Sequence, residues 1–61
     1  MSYQAIKIGC RQATKHADDG DLAAADAVLC ALLDSGASVH DIQTNVPKAT
    51  LREIGAWRKA R

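Results

Sequence analysis

The sequence predicts an all-α fold, a compact bundle of three to four short helices, and three observations carry that expectation. Of the 61 residues 48% are apolar, yet there is no Phe and only Tyr3 and Trp57 are aromatic. The core volume must therefore come from Ala, Leu, Ile and Val, which suits close-packed helices better than a sheet. Apolar residues recur at steps of three and four, the spacing of one helix face, and Gly, Asn and Pro fall where that periodicity stops. The length allows one domain, and a chain this short buries only about 60% of the surface it exposes when unfolded, so it lies near the lower limit for folding alone.

The first helix is expected over residues 3–18. Ser2 is a good N-cap, Tyr3, Ile6, Cys10, Ala13 and Ala17 define one apolar face, and Asp18-Asp19-Gly20 closes the segment. Lys7, Arg11 and Lys15 form a row at i, i+4 and i+8 on a different face. Gly9 is a cost of about 1 kcal/mol relative to Ala in such a position.

A second helix is expected over 22–34, with Asp21 as its cap and Ser35-Gly36 as its stop. Leu22, Ala25, Val28, Leu29, Leu32 and Leu33 make so wide a stripe that this helix is predicted to be surrounded at the centre of the core. Asp26, Cys30 and Asp34 share one line, which predicts a narrow, acidic, solvent-facing strip.

Ser38-Val39-His40-Asp41 has the spacing of a capping box, with Asp in place of the usual Glu or Gln. A short helix over 39–44 follows, with Val39 and Ile42 facing inward. Asn45 tolerates the left-handed conformation that ends helices, and Pro47 pushes Val46 out of the helical region. The last helix is expected over 48–60, since Pro is tolerated where its missing N–H would have no partner. With Leu51 set to zero and about 100° per residue, Ile54 falls near 300° and Trp57 near 240°, whereas Lys48, Lys59 and Arg52 fall near 60°, 80° and 100°. A docked Leu51/Ile54/Trp57 side and an outward, wholly positive row are predicted.

The formal charge of +1 is a cancellation. Residues 1–16 carry Lys7, Arg11 and Lys15 and no acid, residues 17–37 carry five aspartates and no base, and residues 38–61 carry five bases against Asp41 and Glu53, giving +3, −5 and +3. A nucleic-acid partner, which the total alone argues against, is thereby readmitted.

Asn45-Val46-Pro47-Lys48-Ala49-Thr50-Leu51 resembles the turn and recognition-helix start of helix-turn-helix DNA-binding domains, small regulators of the kind phages and plasmids encode. The resemblance spans residues 38–58. Asn45 stands for the turn glycine, Val46 for the buried turn residue, and Leu51 and Ile54 for the inward positions of the second helix. His40, Asp41 and Thr44 depart from the apolar and small residues of the family's first helix. The resemblance implies a recognition helix in the major groove, with Lys48, Ala49 and Arg52 at base edges, Thr50 near the phosphates and Lys59 extending the positive row. So few basic groups in one module imply a homodimer on a paired half-site.

Other readings weigh differently. A module that docks on a larger host protein through its segregated acidic and basic faces is the alternative. Cys10, His16, Cys30 and His40 are separated by five, thirteen and nine residues, unlike the close ligand pairs of zinc sites, so no metal or other cofactor is expected. His16 beside Asp18 and Asp19 reads as solvated punctuation at a helix end, and no enzyme is expected. No apolar run approaches the ~18 residues of a membrane span and no secretory h-region is present, so a cytoplasmic chain with reduced thiols is expected.

Overall fold

Each helix of the computed structural model, which describes residues 2–61, starts at a residue suited to start it. The four are α1 (Tyr3–Asp18), α2 (Leu22–Asp34), α3 (Val39–Asn45) and α4 (Lys48–Ala60). Ser2 Oγ accepts from the Ala5 amide at 3.2 Å and Asp21 Oδ1 from the Ala24 amide at 3.1 Å. At α3 the capping box is reciprocal: the Asp41 amide donates to Ser38 Oγ at 3.1 Å and the Ser38 amide to Asp41 Oδ2 at 3.2 Å. Gly20 (φ 83°) and Gly36 (φ 111°) turn the chain after α1 and α2 in a conformation that side chains resist.

The three-residue link from α1 to α2 makes these helices neighbours, and theirs is the most extensive interface. Its closeness explains Gly9. A Cβ there would lie 2.6 Å from Leu32 Cδ2, so the helix-propensity cost of glycine is offset by the approach it permits. Around this pair α3 packs on α1, and α4 packs on both α1 and α2. The core is Ile6, Cys10, Ala13 and Ala17 of α1, Ala25, Leu29 and Leu32 of α2, and Ala37, Ile42, Val46 and Ile54 from the rest. The fold is all-helical, as the sequence predicts.

Several expected details are corrected. α2 is not surrounded: in a body of 31 × 18 × 17 Å there is no layer beyond it, and Leu33 is 40% exposed while Ala23, Ala27, Cys30 and Ala31 face outward. Asp26 does not belong to a solvent-facing acidic strip, because it is buried against α4 and paired with Arg58. Val39 points away from the core at 61% exposure, leaving Ile42 as the buried residue of α3. Tyr3 is exposed at the start of α1, with Lys7 Nζ 6.0 Å from its ring centroid, and its hydroxyl accepts from Asn45 Nδ2 at 3.1 Å.

Asn45 keeps a negative φ and is the last residue of α3 rather than a left-handed stop; its side-chain amide donates to the Asp41 carbonyl at 2.8 Å. Val46 is extended (φ −118°, ψ 131°), as a residue before proline should be, and is buried. On α4 the buried pair is Thr50 and Ile54, with Leu51 and Trp57 half-buried.

Candidate nucleic-acid interface

The basic row of α1 borders a groove. Lys7, Arg11, Thr14, Lys15 and Asp18 of α1 line it together with Asn45 and Pro47, around a space of about 400 Å³. The groove follows from the packing of α3 on α1, where Ile42 and Val46 are buried and Asn45 donates to the Tyr3 hydroxyl, and from the two-residue link Val46-Pro47 that starts α4 beside it. Thr14 Oγ1 donates to the Cys10 carbonyl at 2.9 Å, so this hydroxyl serves the helix.

Pro47 has no side chain that can cap α4, and none does. The amides of Lys48, Ala49 and Thr50 therefore open the helix without a side-chain acceptor, and a helix start carries a partial positive charge equivalent to roughly half a unit. Three cations, one carboxylate at Asp18 and Pro47, the residue that precedes the uncapped start of α4, thus line one groove. The geometry suits an anion with several oxygens, such as a backbone phosphate.

Of the residues singled out by the resemblance, Lys48, Ala49, Arg52 and Lys59 are exposed. Thr50 is corrected: it is 6% exposed and turned into the bundle, which removes its side chain from any surface contact. The same helical spacing that puts Ile54 near 300° puts Thr50 near 260°, inside the buried arc. Ala49 and Arg52 lie near 160° and 100° on that scale, whereas Lys48 and Lys59 lie nearer the Leu51/Gly55 side of the helix.

Lys7, Arg11 and Lys15 were not singled out by the resemblance. Their signal in the sequence was the acid-free run over residues 1–16 and the i, i+4, i+8 spacing, but nothing in it placed them beside Pro47.

A second polar cluster ties α2 to α4. Arg58 donates to Asp26 and lies 3.8 Å from Cys30 Sγ, which in turn is 4.0 Å from Asp26 Oδ2. Hydrogen bonding and charge from Asp26 raise the Arg58 pKa further above its ordinary value. Cys10 lies fully buried in the core, where desolvation, with the nearby Asp41 charge adding to it, raises the thiol pKa. Among the described residues no group of three or more His, Cys, Asp or Glu is gathered closely enough to hold a metal ion. Among the described residues no helix is long and apolar enough to cross a membrane.

No family model matches the chain, and no curated protein or solved structure matches it significantly.

Proposed function

We propose that this protein is a small DNA-binding regulator that grips the phosphate backbone of a duplex at the groove between α1 and the start of α4. The observation that carries the reading is the meeting of Lys7, Arg11 and Lys15 with Pro47 at an uncapped helix start. Phosphate contacts of this kind fix register and orientation, and they supply most of the affinity. Arg52 and Ala49, on the exposed side of α4 away from its core face, are then the side chains offered to base edges in the major groove. Val46 and Ile54 are buried and Leu51 is half-buried, in keeping with the inward positions of a helix-turn-helix. With one arginine and one methyl group toward the bases, a single copy discriminates sequence poorly, so two copies on paired half-sites complete the reading.

Fluorescence anisotropy of a labelled mixed-sequence duplex tests it. The expected result is saturable binding at 50 mM salt that weakens steeply by 200 mM, in the manner of counterion release. Absence of a complex at low salt, together with stoichiometric capture of one host protein after nuclease treatment, would replace this reading with that of a protein-docking module.

A further inference from the structure

On another side of the molecule, α2, α3 and α4 enclose a second groove of about 230 Å³, lined chiefly by Leu29, Leu33, Val39, Ile42, Leu51 and Gly55. Leu33 and Val39, two of the large apolar side chains most exposed to water, both stand on it. Its walls run antiparallel. Asp26 near the start of α2 meets Arg58 near the end of α4, while Leu33 at the end of α2 lines the same groove as Leu51 near the start of α4.

The banks differ in charge. Beyond Gly55, the α4 bank carries Lys48, Lys59 and Arg52, with Arg58 lining the groove and paired to Asp26; beyond Leu33, the α2 bank carries the exposed Asp34. Because the walls are antiparallel, Asp34 and Lys48 stand at the same end of the groove. Two copies related by a two-fold axis lying along the groove would set each α2 bank against the partner's α4 bank at the same height. Asp34 of one copy would then face Lys48 of the other, twice over. A two-fold axis across the groove would instead oppose like banks. Charge thus favours one of the two ways in which this face can meet itself.

We propose that a second copy of this chain covers this groove, packed about a two-fold axis parallel to α2 and α4, with Leu33 and Val39 at the centre and Asp34–Lys48 pairs on the rim. Two other surfaces expose apolar side chains, the outward alanines of α2 and the Tyr3/Ile8 end of α1. A third groove does run between α1 and α2 past Ile8, Val28 and Ala31, but no charged residue lines it, and nothing there selects an orientation or a partner. The arrangement leaves Lys7, Arg11 and Lys15, which line the other groove, outside the interface. It rests on the dimeric half of the DNA-binding reading and not on the identity of the ligand.

Sedimentation equilibrium across micromolar to millimolar protein tests the proposal. The wild type is expected to dimerise, and Leu33→Glu and Val39→Glu each to raise the dissociation constant about tenfold or more. Val39 opens α3, where a glutamate suits the helix start, and far-UV circular dichroism of each variant separates loss of the dimer from unfolding. Asp34→Lys and Lys48→Glu should each weaken the dimer and the double variant should recover it. A wild type that stays monomeric overturns the proposal, as does a dimer indifferent to both Glu variants; a double variant without recovery overturns the axis. Duplex binding is read separately by anisotropy, so a dimer that ignores DNA removes the DNA reading and leaves this one standing.

Discussion

Arg58, in the last turn of α4, donates to the carboxylate of Asp26, which is buried in the first half of α2. The pair spans 32 positions of sequence and fixes how α4 lies along α2. Removing the arginine strands a buried acid, whereas removing both partners does not. Because Arg58 is itself half-exposed, water screens part of the interaction. Arg58→Ala is expected to destabilise the protein by about 1–2 kcal/mol, and a cycle with Asp26→Ala to give a coupling of about 1 kcal/mol. Urea unfolding followed by Trp57 fluorescence measures both; additive effects would show that the pair contributes nothing specific.

Two helical glycines should respond in opposite directions to the same change. Gly9→Ala drives a methyl group into Leu32, and the overpacking outweighs the gain in helix propensity, for a net loss of about 1 kcal/mol. Around Gly55 a Cβ meets nothing within 4 Å, so Gly55→Ala is expected to stabilise by about 0.5–1 kcal/mol. Thermal melts of the two variants, recorded side by side at low concentration, decide it by the sign of each shift in Tm.

The start of α3 rests on a single reciprocal cap. Ser38→Ala removes one of its two hydrogen bonds and should cost about 1 kcal/mol. The change ought to appear first as faster amide exchange at Val39–Ile42, ahead of α1 and α2, since α3 is short and anchored to the core by Ile42. Uniform exchange across all four helices would mean that α3 does not open locally.

The thiols are expected to separate cleanly. At pH 8 a chromogenic disulfide reagent should titrate one group at once, Cys30, and Cys10 only on unfolding. The raised pKa of Cys10 also has a sign. Below about pH 9 the thiol is protonated in both states and its contribution to stability is intact; above it the unfolded chain ionises first, so stability falls as pH rises toward the folded value. A decline in urea midpoint between pH 9 and 10 that is smaller in Cys10→Ala is the expected outcome, and an identical decline in both proteins contradicts it.

The helix boundaries were legible because caps and stops are local: Ser2, Asp21, Ser38, Gly20, Gly36 and Pro47 act within a few residues of themselves. Burial was less legible. Periodicity shows which face of a helix is apolar but not whether a neighbour covers it, and Leu33, Val39 and Tyr3 stay exposed. Asp26 looked solvent-facing because its partner lies on another helix, and Thr50 looked exposed because the resemblance outweighed its own position on the buried arc. The groove that carries the functional reading was beyond the sequence for the same reason. The row at Lys7, Arg11 and Lys15 could be read, but its meeting with Pro47 depends on the packing of α3 on α1, which brings together residues as far apart in sequence as Tyr3 and Asn45, 42 positions.

In the proposed function the α1 row meets phosphate. The most direct measurement is the salt dependence of duplex binding for the wild type and for Lys7→Ala/Arg11→Ala/Lys15→Ala, whose side chains are exposed and whose removal leaves the core untouched. Each lost phosphate contact lowers the slope of log K against log salt by about 0.9, so the triple variant should bind more weakly at 50 mM salt with a slope smaller by about 2.7. A variant that binds as tightly as the wild type, with the same slope, would mean that the α1 row makes no phosphate contact.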